Sequence, residues 1–102
     1  GTILDVILDL RKNSPTYKQH IAVELSRENR KSIYIPKGCA HGFGVLSDMA
    51  IAYYMVTTEH SPANDTGIRY DSFGHDWIIK SPIISDRDSG FCTLDEFESP
   101  FI

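Results

Sequence analysis

Histidine and tyrosine are the side chains of this chain best suited to moving protons, and one histidine stands in a particularly informative segment. Residues 35–43 have the sequence IPKGCAHGF. Because proline cannot donate a hydrogen bond to a β-ladder, Pro36 predicts the end of one strand. Gly38 permits a sharp turn, and His41 is predicted to begin the next strand. A histidine in this position is most often a hydrogen-bonded core residue; the alternative role is general acid–base chemistry.

A carboxylate partner for this histidine is available in an earlier segment. Residues 2–10, TILDVILDL, alternate so that Asp5 and Asp9 share one strand face with isoleucines. An unpaired carboxylate on a half-apolar face is costly to bury. A neighbouring imidazole, such as that of His41, would neutralise the carboxylate and have its own tautomer fixed in return. Asp5 and His41 are therefore candidate partners.

The spacing of Pro36, Gly38 and His41 also matches one half of the cupin barrel signature, whose histidine binds a metal ion in metal-dependent members. The companion His-x-His…Glu half is absent, since the four histidines at positions 20, 41, 60 and 75 form no His-x-His pair. One histidine without co-ligands makes a poor transition-metal site. No metal site is predicted.

The two cysteines, Cys39 and Cys92, are too far apart for a CxxC redox pair or a zinc knuckle. Cys39 has apolar neighbours and is predicted to be a buried, unreactive thiol. A disulfide between the two cysteines stays open as an alternative, although nothing else in the sequence indicates an oxidising compartment.

Two adjacent tyrosines, Tyr53 and Tyr54, lie in a segment that alternates as a strand does, residues 50–57. One phenol is therefore predicted to face inward and the other outward. A buried phenol beside a polar cavity can act as a general acid, whereas one in a core is plain packing with its hydroxyl bonded. Ala52 and Val56 share a face with Tyr54 and leave space beside its ring.

The elements that must position these side chains are predicted to be strands, since a period of two recurs and helical periodicity is nearly absent. The predicted strands cover residues 2–10, 20–25, 32–36, 43–47 and 50–57. Short strands at roughly ten-residue spacing predict one all-β domain over residues 1–102, a sandwich or small barrel. Only residues 93–97 are predicted to form a helical turn, capped by Thr93 with Glu96 three positions on.

The composition is that of an ordinary globular domain, with 41% hydrophobic residues, 24% charged residues and a net charge of −4. An acidic balance without a run of lysine or arginine argues against nucleic-acid and membrane-surface binding. The apolar runs are too short to span a membrane, and no signal peptide is visible at the start. These features predict a cytoplasmic protein without a nucleic-acid or membrane partner.

Several motifs together resemble the dTDP-4-dehydrorhamnose 3,5-epimerase family of sugar-nucleotide epimerases. The motifs are DVILDLR at 5–11, SPT at 14–16, VELSREN at 23–29, IPKGCAHGF at 35–43, GIRYD at 67–71 and SDRD at 85–88. The combination DLRxxSPT with IPxGxAHGF is the most specific part, and the likeness extends over nearly the whole chain. The resemblance implies a cupin-type jelly roll, a nucleotide-sugar substrate, a homodimer, and neither an organic nor a metal cofactor.

The resemblance also implies roles for individual residues. Tyr54 matches the family's proton donor. Asp88 matches the acidic residue that orients the family's catalytic histidine. His41 matches a histidine that lines the sugar site, and Asp5 matches the acid paired with it.

Other correspondences are less complete. Asp65 and Arg87 fall where the family has an acidic and a basic residue that help to hold the substrate. Glu59 and His60 stand where a tyrosine is usual, and residues 70–73, YDSF, replace Trp-Asn-Asp-Pro. Substrate choice, and the choice between a 3-epimerase and a 3,5-epimerase, therefore stay open.

The family's general base is a histidine in an Arg-Gly-x-His-x-Gln stretch, followed by a lysine, and both precede the strand with which this sequence opens. We therefore expect the sequence to match the C-terminal part of such proteins and to be inactive by itself. The alternative is a non-catalytic cupin-like module that binds carbohydrate or dimerises.

Overall fold

A three-stranded antiparallel sheet is the largest regular element of the computed structural model, which describes residues 1–102. Its strands are β1 (Thr2–Asp9), β2 (His20–Ser26) and β3 (Cys39–Val45). The strand order is β2-β1-β3, so the most apolar strand lies in the centre. A 3-10 turn at Pro62–Asn64 and the one-turn helix α1 (Asp86–Ser89) follow.

The pairing register gives the sheet two distinct faces. On β1, Leu8 lies opposite His20 of β2 and Ala40 of β3, whereas Ile7 lies opposite Ile21 and His41. Residues directly opposite one another share a face. The Leu8 face therefore carries Val6, Leu8, His20, Ala40, Gly42 and Gly44. The His41 face carries Asp5, Ile7, Ile21, Val23, His41 and Phe43.

The small hydrophobic core forms where the C-terminal part of the chain covers the end of β1. Leu8, Leu10 and Leu94 are buried together, and Phe97 and Phe101 pack against them. Backbone bonds hold this cover in place, since the Lys12 amide donates to the carbonyl oxygen of Phe101 at 3.1 Å. The C-terminal residues thus close the Leu8 face at one end of the sheet.

The turn between β1 and β2 is organised by one buried carboxylate, that of Asp9. Arg11 donates to it through Nε (2.9 Å), Nη2 (3.1 Å) and its backbone amide (2.9 Å). The hydroxyls of Ser14 and Thr16 donate to the second oxygen at 2.6 and 2.5 Å. These bonds, above all those from Arg11, hold the pKa of Asp9 far below its usual range. The DLRxxSPT motif is therefore a structural cluster in this chain.

Two predicted strands, residues 32–36 and 50–57, are not strands in the structure, and the predicted strand 43–47 is β3, four residues earlier at its start. A period of two in the side-chain pattern allows a segment to form a strand, but the strand also needs a neighbouring strand to which it can hydrogen-bond. Residues 50–57 make no backbone hydrogen bond with any other residue of the chain. Residues 51–57 are accordingly exposed.

The predicted C-terminal turn is confirmed. The carboxylate of Glu96 accepts hydrogen bonds from the amide (3.1 Å) and hydroxyl (2.9 Å) of Thr93. The Glu96 amide in turn donates to the hydroxyl oxygen of Thr93 at 3.4 Å and to its carbonyl oxygen at 3.2 Å. This is the reciprocal arrangement that a Thr-x-x-Glu sequence favours.

Candidate functional site

His41 and Asp5 form a contact between neighbouring strands on the His41 face. His41 lies opposite Ile7, and Asp5 lies opposite Phe43, so the two side chains are diagonal neighbours across β1 and β3. His41 Nε2 is 2.9 Å from Oδ1 and 3.0 Å from Oδ2 of Asp5. The Asp5 side chain is 5% exposed and that of His41 is 35% exposed. The structure thus brings together the two residues expected to be partners.

The contact fixes which nitrogen of His41 carries the proton in the neutral ring. An ionised carboxylate only accepts hydrogen bonds, so Nε2 must donate. Nδ1 makes no hydrogen bond within the chain and is therefore the acceptor atom of the neutral imidazole. A ring held in one tautomer by a buried carboxylate has the arrangement required for general acid–base chemistry.

A cavity of about 790 Å³ runs along the outer edge of β3. All seven residues of β3 line it, including His41. The opposite wall is provided by the C-terminal part of the chain, with Tyr70, Phe73 and Trp77 among its aromatic residues and Arg87 and Asp88 among its charged residues. The cavity is therefore mostly apolar, with charged groups of both signs at its lining.

Two glycines of β3, Gly42 and Gly44, allow the cavity wall formed by the C-terminal part of the chain to approach the sheet closely. A Cβ on Gly44 would lie 2.7 Å from Cδ1 of Ile79, and one on Gly42 would lie 3.7 Å from the Trp77 ring. Neither the glycines nor Trp77 was among the site residues predicted from the sequence. The sequence feature that could have indicated this contact is the alternation His-Gly-Phe-Gly, because a glycine inside a strand often marks a site that another segment approaches closely.

Arg87 and its acidic neighbours form a second charged group beside the cavity. Arg87 Nη2 lies 2.7 Å from Oδ1 of Asp65, and Nη1 lies 3.5 Å from Oδ1 of Asp88. The guanidinium also stacks over the ring of Phe91, with 5.1 Å from its carbon to the ring centroid. Asp65 does not line the cavity, and Asp88 contacts no histidine within the chain. The structure brings these three predicted site residues together and keeps them out of contact with the His41–Asp5 pair.

The expectation that one of the two adjacent tyrosines faces inward is wrong for this chain. Tyr53 is 88% exposed and Tyr54 is 73% exposed. Since residues 50–57 form no strand, no pleat sorts the two rings onto opposite faces. Tyr54 does not line the cavity. Its role as the proton donor stays a prediction.

Both cysteines are free thiols, so the disulfide alternative is wrong for this structure. Cys39 is half-buried and not fully buried as predicted. This partial burial raises the pKa of its thiol, as expected for an unreactive cysteine. No three histidine, cysteine or acidic side chains are grouped as metal ligands. No helix in the structure is long and apolar enough to cross a membrane.

Comparison with known sequences identifies relatives of this chain. Residues 1–96 match the family described as dTDP-4-dehydrorhamnose 3,5-epimerase. The chain is 45% identical over 101 residues to the dTDP-4-dehydrorhamnose 3,5-epimerase of Methanothermobacter thermautotrophicus, covering 94% of the chain and 55% of that protein. It is 40% identical over 99 residues to the Escherichia coli protein of the same name, covering 94% and 54%. The chain thus spans about half the length of these relatives.

Solved structures of epimerases share the fold of this chain. The dTDP-4-dehydrorhamnose 3,5-epimerase of Sulfolobus tokodaii superposes with a TM-score of 0.89 at 42% identity, over 100% of this chain and 56% of that one. A dTDP-6-deoxy-D-glucose-3,5-epimerase from Legionella pneumophila, solved with dTDP-4-keto-L-rhamnose, superposes with a TM-score of 0.85 at 33% identity, over 100% and 57%. The predicted all-β, cupin-type jelly-roll class is confirmed.

Proposed function

Since the chain belongs to the dTDP-4-dehydrorhamnose 3,5-epimerase family, we propose that it supplies the His41–Asp5 side of an epimerase site. The substrate is a nucleotide-linked 4-keto-6-deoxyhexose, and the reaction inverts C3, C5 or both. The observation that carries this proposal is the contact of His41 Nε2, at 2.9 and 3.0 Å, with both oxygens of an almost fully buried carboxylate.

The reaction needs only proton transfers. The hydrogens on C3 and C5 are acidic because both carbons flank the C4 ketone. A base removes one proton and leaves an enolate, whose oxygen requires a hydrogen-bonding or cationic partner. An acid on the opposite face of the ring then returns a proton and inverts the carbon.

His41 is suited to the stabilisation of this enolate or to proton transfer. Its Nδ1 is left without a partner in the chain, and its side chain lies on the face of the sheet opposite to the one that Trp77 approaches at Gly42. Asp5 holds the ring in one orientation and leaves Nδ1 free to exchange a proton with the substrate. A positive charge at that ring would offset negative charge that develops on the sugar oxygen.

The other predicted site residues complete the proposal. Arg87 would bind the negatively charged diphosphate of the nucleotide, since a guanidinium pairs with phosphate through two parallel hydrogen bonds. Its pairing with Asp65 at 2.7 Å supports a role for the aspartate in orienting it. Tyr54 would donate the returning proton, and Asp88 would orient the family's catalytic histidine.

The proposal extends to a cytoplasmic homodimer. Two free cysteines are typical of a reducing compartment. Both outer strands of the sheet, β2 and β3, lack a second neighbour within the chain. Large apolar side chains such as Tyr34, Ile51 and Met55 are exposed, which supports burial against further protein.

The test is solvent deuterium uptake by the sugar. The chain is joined to the part of the Methanothermobacter relative that it does not match, and the fusion is incubated in D₂O with the 4-keto-6-deoxyglucose nucleotide. Deuterium at C3 or C5, followed by NMR, supports the proposal, and the chain by itself serves as the control. A folded fusion that binds the nucleotide sugar without exchange would instead support the non-catalytic binding module.

A further inference from the structure

Two histidines outside the proposed site, His20 and His75, contact each other on the Leu8 face of the sheet. Their ring centroids are 4.9 Å apart and the rings are nearly perpendicular. Phe73 presents an edge to His20 at 5.2 Å, and Trp77 lies perpendicular to His75 at 4.9 Å. These four residues are termed the His20 cluster.

The His20 cluster attaches the cavity wall to the far edge of the sheet. His20 is the first residue of β2, whereas Phe73 and Trp77 line the cavity beside β3. The Trp77 ring reaches Gly42 of β3, and its Nε1 donates to the carbonyl oxygen of Tyr70 at 2.8 Å. Residues 70–77 therefore cross the sheet from β2 to β3, and the histidine contact is their attachment at the β2 end.

The surroundings of His75 disfavour a charged ring. Its Nε2 is inaccessible to solvent and has no hydrogen-bond partner. Burial lowers the pKa of His75, the neighbouring His20 lowers it further, and Asp76 on its own segment partly opposes both effects. The central strand β1 contributes the uncharged Leu8 beside His20, and β3 contributes glycines. On β2 the next charged residue of this face is Glu24, four positions along the strand.

We propose that the His20 cluster is a pH-sensitive latch, which holds residues 70–77 against β2 while His75 is neutral and releases them when His75 becomes charged. Two charged rings at 4.9 Å repel each other, and a charge at His75 has no acceptor at Nε2. The latch would couple pH to the position of the Trp77 wall of the cavity, whatever that cavity binds.

The sign of the pH dependence follows from the lowered pKa. The unfolded chain, with a histidine pKa of about 6.5, takes up a proton more readily than His75 in the folded chain. The contribution of the latch to stability is therefore fully present above about pH 6.5 and is lost as the pH falls through the folded value.

Trp77 is the single tryptophan of the chain and reports on the latch directly. A protonated imidazole in contact with an indole quenches its fluorescence, so the emission of the full chain is titrated from pH 8 to pH 4.5. We expect one transition with a midpoint below that of an ordinary histidine. His75→Gln should abolish the transition, and His20→Gln should raise its midpoint because a like charge is removed. His60→Gln, at an exposed site outside the cluster, is the matched control and should leave it unchanged.

Release is measured separately from protonation, through quenching of Trp77 by acrylamide. The quenching constant of the unmodified chain should be at least twofold higher at pH 5 than at pH 7.5, with the far-UV circular dichroism unchanged. An equal quenching constant at both pH values would overturn the latch. A fluorescence transition that persists in His75→Gln would overturn it as well. If the far-UV circular dichroism were lost as the quenching constant rises, the increase would be due to global unfolding. That result would also overturn the latch.

Discussion

His41 Nε2 is almost equidistant from the two carboxylate oxygens of Asp5, at 2.9 and 3.0 Å, across the junction of β1 and β3. The pair joins the central strand to the strand that lines the cavity. Its geometry requires a proton on Nε2, since the carboxylate has none to donate.

The first prediction concerns this tautomer. In the neutral form of the ring, ¹⁵N NMR should show His41 with a proton on Nε2 and none on Nδ1. In Asp5→Asn the side-chain amide can also donate, so the preference for one tautomer should weaken. The exposed His60 provides an internal comparison, and the Nδ1–H form at His41 in the unmodified chain would contradict the pairing.

The second prediction concerns the Asp9 cluster. Asp9→Asn removes the charge that accepts five hydrogen bonds, two of them from the Arg11 guanidinium. Urea denaturation at pH 7 should show a loss of about 2 kcal/mol in the free energy of unfolding, as for hydrogen bonds to a charged group. Asp71→Asn is the matched control, because Asp71 also pairs with Nε and Nη2 of an arginine two residues away but is exposed. The control should change stability little.

The unmodified chain and its Asp9→Asn variant also test how stability depends on pH. The pKa of Asp9 is held far below its usual range by Arg11 and the neighbouring hydroxyls. Its contribution to stability is therefore fully present above the unfolded value of about 3.9 and is lost as the pH falls through the folded value. The stability difference between the unmodified chain and Asp9→Asn should shrink steadily from pH 5 to pH 2. A difference that stays constant over this range would contradict the proposed cluster.

The third prediction concerns Gly38, which precedes β3 with φ +92°. A Cβ at this position would lie 2.5 Å from Cγ of Arg11, and the bonds to Asp9 prevent that arginine from moving aside. Gly74 also has a positive φ of +79° but has open space around it. Gly74→Ala should cost about 1 kcal/mol for the backbone conformation alone. Gly38→Ala should lower the free energy of unfolding by at least about 1 kcal/mol more than Gly74→Ala does. Equal losses of stability in the thermal denaturation of the two variants would show that Arg11 does not restrict this site.

The fourth prediction separates the two adjacent tyrosines in the fusion used for deuterium uptake. Tyr54→Phe should retain the release of substrate protons to solvent but sharply reduce the inverted product, because the acid on the opposite face is lost. Tyr53→Phe, its matched control, should leave inversion intact. The reverse result would show that the correspondence of Tyr54 with the family's proton donor is wrong.

What the sequence predicted correctly depends on local patterns. The alternation of residues 2–10 and 20–25 predicted β1 and β2, and the unpaired carboxylate of Asp5 predicted a nearby imidazole. The Thr93 turn followed from a four-residue motif. In each of these cases, the residues that determine the structure are close in sequence or carry an obvious electrostatic requirement.

What the sequence did not predict depends on contacts between distant segments. Residues 50–57 alternate as a strand does, but no segment of the chain pairs with them. The His20–His75 contact joins residues far apart in sequence, and nothing in either local sequence indicates it. The partners of the second carboxylate on β1, Asp9, were not predicted: they are Arg11, Ser14 and Thr16, and no histidine contacts it.

The proposed role of the His41–Asp5 pair in proton exchange on the sugar is tested by deuterium uptake in the fusion that carries Asp5→Asn. Asp9→Asn, which alters a buried carboxylate on the same strand, controls for general loss of stability. We expect Asp5→Asn to lower the rate of uptake at C3 and C5 about 100-fold, because an acid–base group loses its orienting partner. Nucleotide-sugar binding should be retained. Uptake at the unmodified rate in a folded Asp5→Asn fusion would show that the pair takes no part in the exchange.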